Sequence, residues 1–145
     1  MFRELSIDQI SDKSKRFPVV DGPFGTQLHA DEYVKEGVPV VRITNLSYSG
    51  KFSINDLVFV NENKYKELIR SEILKDDIII AKTGATIGKS ALFPLERGII
   101  ASSCLKVSSN RKIVDPVYKI YMLNLIIYQL LFFRNTELEP INKSA

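Results

Sequence analysis

The stretch from Asp77 to Ser90 contains glycine, lysine and hydroxyl side chains at nearly the spacing of a phosphate-binding loop. Such a loop needs two glycines separated by four residues, followed by Lys and then Ser or Thr. Its backbone N–H groups then surround the phosphates and its lysine reaches them. Counting back from Gly88, the position of the first glycine is occupied by Thr83, and Gly84 stands one residue too close. The motif therefore lacks the residue that shapes the loop.

The residues on either side of this stretch also differ from a nucleotide-binding loop. Residues 78–81 form an apolar run that predicts a buried strand. A phosphate-binding loop continues into a helix whose N-terminal N–H groups point at the phosphate, whereas residues 91–93 are apolar and are followed by Pro94. The pattern predicts a strand, a glycine-containing turn and a second strand. A nucleotide-binding enzyme fragment with a degenerate loop is kept as a second hypothesis for function.

Catalysis and metal binding have few candidate residues. The only histidine, His29, lies in a polar segment, and the only cysteine, Cys104, lies in an apolar run. A nucleophile needs a neighbouring base, and one Cys with one His is too few for a zinc site. We therefore expect no catalytic residue, metal or cofactor in this chain. A single cysteine cannot form an internal disulfide, and the absence of a signal-peptide pattern favours the cytoplasm.

Polar and basic side chains that could contact DNA lie near the expected turns. Arg and Lys bind guanine edges or phosphates, Asn and Gln bind adenine, and Ser and Thr contact either. The candidates are Gln27, Arg42, Asn45, Arg70, Ser71, Lys82, Thr83, Thr86, Lys89 and Lys106. Arg70 has a second explanation, since a cation at the end of a helix complements the helix dipole.

The positive charge is concentrated in one segment. The chain carries a net charge of +3, yet residues 78–112 hold six Lys/Arg against one Glu. Residues 1–77 hold 11 Lys/Arg against 13 Asp/Glu, and residues 113–145 hold three of each. Basic residues supply the sequence-independent affinity for DNA phosphates, so segment 78–112 is expected to supply backbone affinity. A solvated basic face is the alternative.

Length and apolar pattern predict one domain of mixed structure. The chain has 145 residues and 45% hydrophobic content, enough for a single core. Ser6 and Gln9 predict a capping box at the start of a short helix, with Leu5 and Ile10 placed for a hydrophobic staple. Two further short helices are expected at residues 31–36, ended by Gly37, and at residues 63–69, with Tyr65, Leu68 and Ile69 along one side.

Short apolar and β-branched runs predict the strands. They occupy residues 19–20, 38–44, 57–60, 78–81, 91–93, 99–101 and 104–107. Pro39 places the second of these at a strand start or a sheet edge. The fold class expected is α+β: a single domain with a curved, mostly antiparallel mixed β-sheet, short helices and a C-terminal apolar helix.

The C-terminal helix is predicted from its start signals. Asp115 is a capping residue and Pro116 suits the first helical position. Residues 120–133 are apolar around almost the whole circumference, but 14 residues are fewer than the roughly 20 that span a membrane. We expect a helix packed in the core, or one covered by a second copy or a neighbouring domain, and no membrane partner.

Two blocks, taken together, indicate a family. The first runs Asp21-Gly-Pro-Phe-Gly-Thr-Gln-Leu28, continues with Tyr33 and ends with residues 37–45; the second is residues 77–89. In this order and spacing they resemble the target recognition domain of type I restriction-modification specificity subunits. They also resemble the related specificity domain of fused adenine-specific DNA methyltransferase and restriction enzymes. The likeness extends from about Leu5 to Ser144 and includes Arg70-Ser71 and Ile141-Asn142-Lys143.

The resemblance implies a non-catalytic DNA-binding module. Such a domain recognises half of a split target in double-stranded DNA through the major groove and delivers it to an adenine methyltransferase and a restriction partner. S-adenosylmethionine and ATP would belong to those partners. By analogy, Gly22, Gly25, Gly84 and Gly88 serve turns, while Lys82, Thr83 and Lys89 contact phosphates.

A complete specificity subunit has two recognition domains separated by long helices. We therefore expect this chain to be part of a longer protein, with a second recognition domain or a second copy as a further partner. The third hypothesis is a structural interaction module that docks a partner through the final apolar helix.

Overall fold

A computed structural model describes residues 6–23, 25–118 and 120. The described residues include the α-helices α1 (Ile7–Ile10) and α2 (Glu62–Glu67), and residues 116–118 begin a third. The strands are β1 (Val19–Asp21), β2 (Val38–Val41), β3 (Val58–Val60), β4 (Glu72–Leu74), β5 (Ile78–Ala81), β6 (Ser90–Leu92), β7 (Arg97–Ile100) and β8 (Cys104–Val107). Short 3-10 turns occupy Ala30–Glu32, Ile43–Asn45, Ile69–Ser71 and Gly84–Thr86.

The strands form two four-stranded sheets. Sheet I has the order β1-β8-β5-β6, and all its neighbouring strands are antiparallel. Sheet II has the order β3-β2-β7-β4, in which β2 and β7 are parallel and the other pairs antiparallel. The α+β class and the mostly antiparallel pairing expected from the sequence are confirmed, but the strands form two sheets where one curved sheet was expected. The strands divide between two sheets because β7 and β8, which are adjacent in the chain, insert into different sheets.

One apolar core joins the two sheets. Val41 and Ile100 from sheet II and Ile79 and Cys104 from sheet I belong to the same buried cluster. Phe93, which follows β6, is fully buried in this cluster. A second cluster packs α2 against sheet II, and a third covers the outer face of sheet I. β-branched side chains suit such pleated, buried surfaces. Most of the strands could therefore be predicted from the sequence.

The expected capping box of α1 is confirmed. The Ser6 Oγ accepts from the Gln9 N–H at 3.2 Å, and the Ser6 N–H donates to the Gln9 Oε1 at 2.8 Å. The staple partner Leu5 lies outside the described residues. In α2, Asn61 caps the helix, and Tyr65 and Leu68 are buried. Ile69 was wrongly placed on the apolar side, since it begins the following 3-10 turn and is exposed.

The expected helix at residues 31–36 is wrong. Only a 3-10 turn at Ala30–Glu32 forms, because the Val34 N–H donates to the Phe59 carbonyl at 2.9 Å and extends the chain beside β3. Gly37 ends no helix. It has φ +155 and lies so close to β3 that a Cβ atom would stand 2.3 Å from the Val60 oxygen.

Two strand details also differ from expectation. Pro39 is the second residue of β2, which lies inside sheet II between β3 and β7, so the strand-start alternative is the correct one. Strand β4 was not predicted, because Ile73 is the only one of its three residues that is buried. Its extended conformation depends on pairing with β7.

The start of the C-terminal helix is as predicted. The Asp115 Oδ1 accepts from the backbone N–H groups of Val117 and Tyr118 at 2.8 and 3.2 Å. Residues 116–118 and 120 are helical, and Ile120 packs against sheet I. The rest of the expected apolar helix, as well as residues 141–143, lies outside the described residues. Among those described, no helix has the length and apolarity needed to cross a membrane.

Candidate nucleic-acid interface

The opening motif of the sequence forms a β-hairpin. Residues 82–89, here called the hairpin turn, join β5 to β6, and the Gly88 N–H donates to the Ala81 carbonyl at 3.0 Å. Gly84 and Gly88 have positive φ values of 76 and 91, a conformation that favours glycine. Ser90 begins a strand, whereas a phosphate-binding loop would begin a helix there. The predicted strand, turn and strand are confirmed, and the nucleotide-binding hypothesis has no structural support at this turn.

A neighbouring loop holds the hairpin turn in place. The Tyr48 hydroxyl donates to the Ala85 carbonyl at 3.2 Å, and the Lys89 Nζ lies 5.5 Å from the centre of the Tyr48 ring. The Ser90 N–H donates to the Ser47 carbonyl at 3.0 Å. Tyr48 remains 45% exposed. No sequence pattern had marked this tyrosine, because it lies in a polar turn far from residue 85 in the chain.

The two sequence blocks meet at this end of sheet I. The Lys82 Nζ lies 3.1 Å from the Asp21 Oδ1. The Gly22 N–H donates to the Cys104 carbonyl and the Lys82 N–H donates to the Ser103 carbonyl, each at 3.0 Å. Both blocks are therefore anchored on the turn between β7 and β8. Asp21 was not among the predicted site residues, although its position in the first block was a usable signal.

A cleft of about 390 Å³ lies beside this junction, between β1 and the 3-10 turn Ile69–Ser71. It is called the interface cleft. Its lining includes three predicted residues, Gln27, Arg70 and Ser71. Gln27 and Arg70 are exposed, while Ser71 is buried and its hydroxyl donates to the Asp21 carbonyl at 3.2 Å. Ser71 thus fixes the cleft wall, and the Arg70 guanidinium and the Gln27 amide remain on the surface.

Three predicted contact residues are incorporated into the fold instead. Asn45 is fully buried, with its Oδ1 accepting from the Arg42 N–H and its Nδ2 donating to the carbonyls of Ser53 and Asn55. The Arg42 guanidinium donates to the Asp56 carbonyl at 2.6 Å. Asn45 and Arg42 therefore shape the loop at residues 53–56, and their expected DNA contacts stay predictions.

Lys106 is the third of these residues. It is 6% exposed, and its Nζ lies 3.9 Å from the Asp77 carboxylate, which is also buried. Burial lowers the pKa of Lys106, with the Asp77 charge acting in the opposite direction. Lys106 is thus enclosed between protein groups, and its expected DNA contact stays a prediction.

The basic segment does not form a single surface. Lys82 and Lys89 flank the hairpin turn, whereas Arg111 and Lys112 lie beyond the opposite end of β8. Arg97 pairs with Glu62 next to α2. Of the cations in the basic segment 78–112, Lys82 and Lys89 thus lie at the hairpin turn. Arg70, which is outside this segment, lies in the adjoining interface cleft. Thr83 is exposed, while the Thr86 Oγ1 is buried and has no hydrogen-bond partner among the described residues.

The single histidine and the single cysteine lie in different environments. His29 is exposed at the start of a 3-10 turn. Cys104 is buried in the core, and desolvation raises the pKa of its thiol to about 11. Within residues 6–23 and 25–118, no group of three or more His, Cys, Asp or Glu side chains is placed to bind a metal ion.

Comparison with known proteins adds no family. A scan against protein-family models and a search of curated proteins both find no match to this chain. The argument for function therefore rests on the two sequence blocks and on the surface that they form.

Proposed function

We propose that this chain is a DNA-binding module that recognises half of a restriction-modification target site and presents it to an adenine DNA methyltransferase. The observation that carries the proposal is the contact between the Lys82 ammonium and the Asp21 carboxylate at 3.1 Å. It joins the two blocks on which the family resemblance depends, although 60 residues separate them in the chain. Residues that merely matched a motif by chance would have no reason to share one surface.

The shape of the site is suited to the major groove of B-DNA. The major groove, about 12 Å wide, admits a two-stranded β-ribbon, and the β5–β6 hairpin presents one at the edge of sheet I. Thr83 and Ile87 are exposed at its tip. A threonine hydroxyl can contact base edges, and an apolar side chain can pack against the thymine methyl group.

The flanking polar residues suit the phosphate backbone and further bases. Lys82 and Lys89 stand at the two ends of the hairpin turn. There Lys89 can neutralise a phosphate, and Lys82 can do so by exchanging the Asp21 carboxylate for it. Arg70 and Gln27 extend the same surface into the interface cleft. Arg binds guanine edges or phosphates and Gln binds adenine, so the cleft supplies the groups that could read sequence.

The module has no catalytic role in this proposal. The methyltransferase partner binds S-adenosylmethionine, the restriction partner binds ATP, and a second recognition domain or second copy reads the other half of the site. In this proposal the assembly works in the cytoplasm.

The test is the salt dependence of duplex binding. Fluorescence anisotropy with labelled duplexes of random sequence would measure the dissociation constant of this chain, and of any longer parent protein, over a range of salt concentrations. Each phosphate contact contributes close to one unit of the slope of log K against log salt. The double variant Lys82→Ala with Lys89→Ala is expected to lower the slope by about two and to weaken all sequences alike.

A control that removes one exposed positive charge is available in Lys35→Ala, to be compared with each single lysine variant. Lys35 is exposed and lies outside both the hairpin turn and the interface cleft, so its removal should leave the slope unchanged. The proposal is refuted if the longer parent protein binds no duplex at low salt, or if the Lys82 and Lys89 variant keeps the wild-type slope.

A further inference from the structure

A second polar site lies at the end of sheet I opposite the hairpin turn. Strand β8 runs from Cys104, beside the hairpin, to Val107, and residues 108–112 continue from there. Two clefts, of about 550 Å³ and 100 Å³, adjoin this point. Both are lined by Lys15, Asp77 and Ser108. The two clefts, called the Ser108 clefts below, lie outside the surface to which we assign DNA binding.

The larger cleft contains more cations than anions. Its lining includes five Lys or Arg residues and three Asp residues. Each of the three carboxylates is already engaged. Asp12 accepts from the N–H and the hydroxyl of Ser14, Asp76 pairs with Arg111, and Asp77 accepts from the Leu74 N–H.

Two of the cations have no such partner. Lys15 and Lys112 line the larger cleft, and neither pairs with a carboxylate among the described residues. Lys15 also lines the smaller cleft together with the buried Lys106. The charge of Lys15 adds to the effect of burial in lowering the pKa of Lys106, whereas Asp77 and Glu72 oppose it. Lys15 and Lys106 thus repel each other, although the Asp77 carboxylate balances the charge of Lys106 and leaves Lys15 as the cation that an anion would stabilise.

A buried hydroxyl points to the same conclusion. Ser108 is 2% exposed and contributes to both clefts, yet its Oγ has no hydrogen-bond partner among the described residues. Buried polar groups are nearly always hydrogen-bonded, and each exception calls for an explanation such as an absent ligand. Ser108, Lys15 and Lys112 line the same cleft, and the two lysines make no ion pair among the described residues, although the charge of Lys15 also acts on Asp12. A donating hydroxyl and two such cations are the donor set of an oxyanion site.

We propose that the Ser108 clefts bind a phosphate group, with Lys15 and Lys112 as counter-charges and the Ser108 hydroxyl as a hydrogen-bond donor. The negative charge of Asp77 does not oppose this, because Lys106 and the Leu74 N–H neutralise that carboxylate. The phosphate group belongs either to a free phosphate-bearing ligand or to the backbone of a DNA strand. The proposed phosphate site does not depend on the function proposed above, and the two proposals are tested separately.

The probe is pyrophosphate, titrated into the full chain in a phosphate-free buffer at low salt. Backbone N–H chemical shifts measured by NMR report which residues respond. Shifts are expected at residues 15, 108 and 112 and should saturate by about 10 mM, where a site with a Kd of about 1 mM is nearly full. Lys15→Gln should weaken binding about tenfold, as loss of a charge-assisted contact does.

Ser108→Ala separates binding from folding. Removing a buried hydroxyl without a partner should raise the melting temperature of the ligand-free protein, while pyrophosphate affinity should fall about tenfold. A purely structural serine would not change the affinity. Lys35→Gln, which removes an exposed charge that lines neither cleft, is the matched control and should bind as the wild type does.

Competition identifies the source of the phosphate. If pyrophosphate displaces a labelled duplex and Lys15→Gln weakens the duplex complex, the site takes a backbone phosphate. If the duplex is unaffected by both, it takes a free ligand. The proposal is overturned if pyrophosphate shifts none of the three residues, or if Lys15→Gln and Ser108→Ala bind it as tightly as Lys35→Gln.

Discussion

Gly22 is the residue on which the meeting of the two sequence blocks depends most directly. A Cβ atom added there would stand 1.9 Å from the Ala101 oxygen and 2.4 Å from the Ala101 carbonyl carbon. Real Cβ atoms essentially never come closer than 3.0 Å to a heavy atom. The variant Gly22→Ala must therefore move one backbone segment away from the other by at least 1.1 Å, the difference between 3.0 and 1.9 Å.

This displacement affects both packing and hydrogen bonding. Overpacking that shifts backbone costs about 1–3 kcal/mol, and the bond from the Gly22 N–H to the Cys104 carbonyl, now 3.0 Å, would be stretched. A lost hydrogen bond adds about 1 kcal/mol. We expect Gly22→Ala to lower the free energy of unfolding by about 3 kcal/mol, which for a domain of this size is a fall in melting temperature of roughly 10 °C.

Gly25 provides the matched control within the same block. A Cβ atom at Gly25 has nothing within 4 Å, so Gly25→Ala should change the stability by less than about 0.5 kcal/mol. Urea unfolding followed by circular dichroism measures both variants. Equal stabilities of Gly22→Ala and Gly25→Ala would contradict the close approach of Gly22 to the turn between β7 and β8, whatever the function of the surface.

Two further outcomes follow from the buried thiol and from the hairpin. Burial raises the pKa of the Cys104 thiol from 9.0 to about 11, so between these values the folded state keeps a proton that the unfolded state releases. The contribution of this group to stability is therefore complete below pH 9 and is lost as the pH rises towards 11. Urea unfolding between pH 8 and pH 11 should show a shallower decline in Cys104→Ala than in the wild type, and identical slopes would contradict burial of the thiol. ATP or GTP with magnesium should leave the melting temperature unchanged, since the hairpin turn lacks the helix that follows a nucleotide-binding loop. A ligand bound to the native state stabilises it. A rise of several degrees that Lys89→Ala abolishes would therefore support the nucleotide-binding hypothesis.

Apart from β4, the strands could be predicted from the sequence because they are buried. Runs such as Ile78–Ala81 and Cys104–Val107 are apolar or β-branched, and burial between sheets or beneath other elements requires that composition. β4 was missed because its pairing with β7, rather than its own residue types, keeps it extended. The order of strands in the two sheets could not be predicted from the sequence either, since it depends on contacts between segments far apart in the chain.

The candidate site was predictable in part. The glycines and lysines of residues 82–89 predicted a turn between two strands. In the structure this turn lies at one end of sheet I and contains four of the predicted residues: Lys82, Thr83, Thr86 and Lys89. Residue type could not separate a surface amide such as Gln27 from the buried Asn45, because both have the same hydrogen-bonding groups. Tyr48 and Asp21 were missed because their partners, Ala85 and Lys82, are distant in sequence.

The insertion of β7 and β8 into different sheets has a consequence for synthesis of the chain. β8 lies between β1 and β5, and β7 lies between β2 and β4, so during translation neither sheet can close until residues 97–107 have left the ribosome. Contacts of this long range also make folding slow. Strand β1, made early, therefore has no pairing partner in sheet I until β8 has been made.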